Sequence, residues 1–300
     1  MTIARTLGLK STFQSTLLNE KFEAIPISIN RKNINFALVK LKSNSFDYKN
    51  LIKYLSNAAL YYALPKKRID ELKAEGLFND LIEESKGKFK SSKCNEGEGG
   101  ELISYCINED VLCAPKILSK LKLKTNNEDY VKGADGVHLL KLDDNTYEVI
   151  LAESKMYTDL KLAISKAFES IDRFISGDDI DFEITTLATN LSGEFEDIDV
   201  DYISKYILPS KNDVTHHTAF SIFIGFNITN DLDKSLDYDV YEQQMVDKVK
   251  EIIMVESTNI YSKLADAKRR AYSFYIYLIP FESIDEFRKD IIKEVKGERC

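Results

Sequence analysis

The chain has 300 residues, 44% of them hydrophobic, enough for one large domain or two modest ones. A formal net charge of −8 argues against an autonomous DNA-binding module, whose affinity rests on phosphate contacts. There is no run of about 18 uncharged apolar residues for a membrane span, and the N-terminal stretch lacks an apolar signal core, so a cytoplasmic protein with no membrane partner is expected.

Residues 1–30 are mixed and give no assignment. Ile34–Lys42 alternates like a strand. Asp47–Ala63 carries apolar residues at helical spacing and stops at Pro65, and Lys66–Lys90 reads as one further, more charged helix. Cys94–Gly100, CNEGEGG, is the most glycine-rich place in the chain and reads as a joint. This divides the chain into an N-terminal α/β region, 1–93, expected to bind a partner, and a second domain, 94–300.

Beyond the joint, Glu101–Ala114 reads as a helix, followed by the short, alternately apolar and basic Lys116–Lys124. Val131–Leu142 and Tyr147–Lys155 form a β-hairpin about the turn Asp143-Asp144-Asn145. Thr158–Ile175 is a strongly amphipathic helix with Asp159 near its start. Asp181–Ala188 is a strand, and the acidic Ser192–Val214 an inserted loop. Thr218–Ile228 is a central strand, Asp239–Lys263 a long helix and Ala271–Pro280 a buried strand. Ser283–Lys296 is a closing helix with Ser283 as cap and Glu286 three residues on. The order from residue 97 is that of an α/β domain with a mixed sheet. The cysteines Cys94, Cys106, Cys113 and Cys300 form no C-x-x-C pair, so reduced thiols are expected rather than a zinc site.

One strand ends in charge. In Glu148–Lys155, EVILAESK, an apolar run leads into Glu153, Ser154 and Lys155. Alternation sends Glu153 and Lys155 to the same side, their heads about 7 Å apart. E-x-K also occurs at Glu71–Lys73 and Glu294–Lys296, but both of those fall in expected helices, where i and i+2 do not share a face. A second acid, Asp135, begins the paired strand, and the turn at 143–145 folds it back toward Glu153. Two close carboxylates repel unless a proton or cation intervenes, and oxygen ligands at a partly open site suit Mg²⁺. A nearby lysine orients water or neutralises developing phosphoryl charge, which is the machinery of metal-assisted phosphodiester hydrolysis. A third carboxylate comes from the helix after the glycines, Glu98 or Glu101. Glu101 is favoured because Glu98 lies inside the expected joint.

This order of helix glutamate, strand aspartate, strand E-x-K and helix resembles the PD-(D/E)XK nuclease superfamily. Within it, GEGGELISY, KGADGVHLL and AESKMYTDLKLAISKAFESIDRF are similar to the core blocks of the HamA family of the Hachiman anti-phage defence system, over about residues 97–176. The resemblance implies a restriction-endonuclease-like core with a mixed central sheet flanked by helices and an N-terminal α/β extension. It also implies a bacterial, Mg²⁺- or Mn²⁺-dependent DNase. Asp135, Glu153, Lys155 and Glu101 are the catalytic set, and Asp135, Glu153 and Glu101 the metal ligands. The implied partners are DNA and a superfamily 2 helicase, HamB. Where the superfamily is named for a proline, this chain has Ala134. The alternative is a nuclease-like regulatory subunit that has lost turnover. An endonuclease with its own sequence specificity is disfavoured, since neither a recognition helix nor a basic stripe is apparent.

Several other residues have ordinary readings. His138, three residues from Asp135, is expected to face away from it as a packing residue. His216-His217 is placed in a surface loop. Tyr157 and Lys161 are balanced between phosphate contact and plain helix-start packing. Lys116, Lys120, Lys122 and Lys124 read as a DNA track or as an amphipathic edge. Phe274, Tyr275 and Tyr277 are core.

Overall fold

The structure, a computed structural model, describes residues 32–90, 97–119, 133–142, 146–176 and 215–298. The expectations for residues 1–30, for Lys120, Lys122 and Lys124, for the turn at 143–145, for the strand at 181–188 and for the loop at 192–214 lie outside the described residues.

The described strands form one mixed sheet. They are β1 (Lys32–Phe36), β2 (Lys116–Ser119), β3 (Gly136–Lys141), β4 (Thr146–Tyr157), β5 (Thr215–Asn227) and β6 (Ser273–Phe281), in the spatial order β1-β6-β5-β4-β3-β2. β4, β5, β6 and β1 run parallel, while β3 and β2 are antiparallel additions at one edge. Central parallel strands are covered on both faces, which is why β5 and β6 read as near-continuous apolar runs. Every residue of β6 is buried.

The helices are α1 (Tyr48–Ala63), α2 (Lys66–Ala74), α3 (Phe78–Lys88), α4 (Glu98–Cys106), α5 (Leu160–Ser176), α6 (Tyr238–Leu264) and α7 (Ile284–Lys296). α1, α4 and α7 pack together on one face of the sheet. α5 covers β4 and β5 on the other, with α6 against it. Phe168 and Phe174 of α5 meet Phe274 and Phe220 of the sheet at ring distances of 6.3 and 6.4 Å. Asp159 caps α5 by accepting from the Leu162 N–H at 2.6 Å, and Ser283 caps α7 by accepting from Glu286 N–H at 3.3 Å. Arg269 grips Asp172 of α5 through two hydrogen bonds of 2.9 and 2.7 Å while its guanidinium lies 5.1 Å over Phe168. β1 and α1 share this sheet and its hydrophobic core with the later elements.

Several expected boundaries shift. The single helix over 66–90 is two helices, α2 and α3, broken at Gly76, whose φ of +74° leaves the helical region. β1 ends at Phe36 rather than Lys42. The expected joint is shorter, because α4 already begins at Glu98. Its continuation widens into a π-turn over Ile107–Val111 that buries Asn108, Glu109 and Asp110. β5 starts early enough to include His216 and His217, which pair with Tyr147 and Glu148 of β4 instead of lying in a loop.

Candidate active site

The register of β3 on β4 brings the two strand acids together. Gly136 lies opposite Ala152, and the Asp135 N–H donates to Ala152 O at 2.9 Å, so Asp135, just before β3, is held against β4 beside the start of the E-x-K run. Its carboxylate is locked by β4 itself: Oδ2 accepts from both the N–H and the hydroxyl of Ser154, each at 2.8 Å. Asp135 is 7% exposed and Glu153 5%. Burial, and then the negative charge of Asp135, push the Glu153 carboxyl above the usual carboxylate range, against the pull of Lys155 and of the Ser170 hydroxyl on α5. Burial works against the Lys155 charge, but Glu153 and Asp135 outweigh it and hold the ammonium above its usual range.

Glu153 and Lys155 do share a face, yet their heads are not separated along the strand. Lys155 Nζ bends back into direct contact with Glu153 Oε1. A flexible lysine satisfies a desolvated carboxylate more effectively than a fixed spacing of strand side chains would.

Glu101 approaches from the other face of the sheet. A methyl at Gly100 of α4 would lie 3.4 Å from Ser154 Oγ and 3.3 Å from Met156, so the even-numbered residues of β4 face α4. Glu153 and Lys155 face α5. Glu101 accepts a 2.9 Å hydrogen bond from the Tyr62 hydroxyl and lines one pocket with Asp135, Ser104, Tyr105, Lys116 and His138. Asp135 is thus the residue common to both groups. It couples electrostatically to Glu153 on one side and lines the Glu101 pocket on the other. Glu98 is buried in the first turn of α4 and accepts from the Lys90 N–H at 2.9 Å.

A family model described as HamA matches residues 12–295, nearly the whole length. The chain belongs to the HamA family. It is therefore a subunit of an anti-phage defence system, Hachiman. No curated protein matches it.

For a divalent ion in this HamA chain, Asp135 and Glu153 offer what Mg²⁺ takes. They are oxygen donors, nearly desolvated and mutually repelling, and Mg²⁺ is held by one or two carboxylates while keeping water in its remaining positions. Among the described residues, no three His, Cys, Asp or Glu side chains converge as a closed ligand cluster.

His138 does not turn away from Asp135 as expected. Asp135 precedes the first residue of β3, so strand alternation does not bind it, and both side chains line the same pocket. The His138 ring is buried, Nδ1–H donates to Ala114 O at 2.9 Å, and Nε2 is the bare nitrogen. Burial lowers its pKa to about 4, only partly offset by that hydrogen bond and reinforced by Lys116. Lys116 leaves the set of DNA-track candidates. It is 3% exposed, and its ammonium donates to the carbonyls of Tyr61, Tyr62 and Leu64 at 2.6, 3.1 and 3.3 Å, capping the end of α1. Two residues of the site escape sequence reasoning. Ser154 is only the unspecified middle of E-x-K, and Tyr62 sits 39 residues from Glu101 in what reads as ordinary helical core.

Proposed function

We propose that this HamA chain is a Mg²⁺- or Mn²⁺-dependent deoxyribonuclease, the effector subunit of a complex with a superfamily 2 helicase of the HamB kind. The observation that carries the reading is the buried Asp135–Glu153 pair with Lys155 against it. An acidic pair sequestered from water, with an ammonium in contact, is costly as structure and useful as chemistry. Asp135 and Glu153 would hold the ion, and Glu101 would reach it from the α4 side, directly or through water. When bound, the ion polarises a phosphoryl oxygen and makes a water molecule more acidic. Ser154 keeps Asp135 from rotating. Lys155 donates to a non-bridging phosphate oxygen as charge develops there and orients the attacking water. Glu153 is steadied by the Ser170 hydroxyl of α5 and by Lys155, so it stays in place as the substrate enters.

Substituting Glu153→Ala and Lys155→Ala together abolishes plasmid cleavage with Mg²⁺ and phage protection, while the far-UV spectrum and partner binding stay intact. Cleavage by the double variant at the wild-type rate refutes the assignment. The separation of Glu101 and Glu153 to opposite faces favours the second reading, a regulatory subunit without turnover. Calorimetric titration separates the two, since a regulatory subunit of this kind takes up neither Mg²⁺ nor Mn²⁺. Residues 1–93 and the C-terminal helices are the proposed helicase-facing surface.

A further inference from the structure

Tyr62 belongs to α1, far in the chain from every residue assigned to the reaction, yet it touches one of them. Its ring is 1% exposed and is held between Phe89, at 6.3 Å, and Tyr105 of α4, at 5.3 Å. Held between these neighbours, its hydroxyl donates to Glu101 Oε2 at 2.9 Å. The other Glu101 oxygen, Oε1, lies where Gly97 leaves room: a methyl at that glycine would sit 3.3 Å from it. Glu101 is therefore guided on both sides, by a donor from α1 and by an open backbone at the start of α4.

The end of α1 is itself tied to the site's own strands. Lys116, in β2 beside His138 of β3, caps the carbonyls of Tyr61, Tyr62 and Leu64. Tyr62 thus has its main chain anchored to the antiparallel edge of the sheet and its side chain anchored to α4.

We infer that Tyr62 is a positioning residue: it holds the Glu101 carboxylate in the pocket it shares with Asp135, so that the N-terminal layer completes the metal-binding side of the site. The inference rests on the proposed metal-dependent reading. It makes α1 part of the catalytic apparatus and links any displacement of that helix to the set of Glu101.

The test is a double-mutant cycle on the full chain with Mg²⁺ as the probe. Calorimetry gives Mg²⁺ affinity for wild type, Tyr62→Phe, Glu101→Gln and the double variant. Tyr62→Phe retains the ring contacts and removes only the donor. The expected result is a Mg²⁺ affinity weakened roughly tenfold by Tyr62→Phe, as for other residues that orient a ligand. The same change made on Glu101→Gln has no further effect, because its target is already altered. Equal losses in both backgrounds, or no loss in either, overturn the inference alone. Absence of Mg²⁺ binding by the wild-type chain overturns the metal-dependent reading and the inference with it. A melting temperature unchanged by Tyr62→Phe accompanies the expected result, whereas a lowered one with unchanged affinity assigns the hydroxyl a purely structural role.

Discussion

His138 shows how burial and function meet at one residue. Its ring is held near pKa 4 in the fold but returns to about 6.5 when unfolded. A group lowered on folding contributes stability that is fully present above its unfolded value and is lost as pH falls through the folded one. The neutral ring therefore stabilises the chain at pH 7, and the contribution drains away between about pH 6.5 and 4. The total is roughly 3 kcal/mol at about 1.4 kcal/mol per pH unit. His138→Asn places an amide N–H near the Nδ1 position, toward Ala114 O. Its stability falls less steeply than wild type between pH 7 and 4.5, as read from denaturant midpoints. Glu153 has the opposite sign. Its raised carboxyl favours the fold at low pH, and that advantage is lost as pH climbs above the carboxylate range. At this scale the nearness of Asp135 to the E-x-K strand was legible, because a hairpin between the two runs folds one back on the other. Ser154 and Tyr62 were not, since an hydroxyl in a strand and a tyrosine in an apolar helix face carry no mark of what they touch.

Elements inherit their precision from contacts between neighbours. β4 carries the E-x-K residues, and its position against β5 depends on Gly225, where a methyl would sit 3.1 Å from two atoms of Met156 and 3.2 Å from Phe281. Gly225→Ala overpacks this seam and costs roughly 1–3 kcal/mol. Adding Met156→Ala recovers part of the loss, a non-additivity that urea melts detect. The elements with strong periodicity, α5, α7 and the apolar strands β5 and β6, were legible from pattern alone. The break between α2 and α3 was not, because a single glycine in a charged run is tolerated by many helices. Neither was the π-turn after α4, which depends on the buried polar groups it accommodates: Asp110 accepting from Tyr54 at 2.6 Å and Glu109 accepting from the Lys116 N–H at 2.8 Å.

At the scale of the whole molecule, a net charge of −8 sets what the chain does alone. Phosphate contacts supply most non-specific affinity for DNA and weaken steeply with salt. The isolated chain is therefore expected to lose DNA in a gel-shift assay at about 0.15 M salt. A copurified complex with the proposed helicase partner is expected to retain it under the same conditions. Equal retention by both removes the argument that DNA gripping is delegated. The sequence divides at a glycine-rich joint, yet β1 lies beside β6 and α1 beside α7. Pairing between residues so far apart leaves no local signature, so the shared sheet was invisible beforehand.

That pairing also has a temporal side. Lys32 lies opposite Phe274, so the first described strand waits for the ribosome to deliver a partner 242 residues later. At roughly 5–20 residues per second, the wait is on the order of 10–50 s. β6 must emerge before β1 has its place, and α7 before α1 is fully covered. The sheet that carries the proposed site is therefore complete only once β6 has been made, so a defence subunit built in this order stays unfinished for most of the interval between its first described strand and its last.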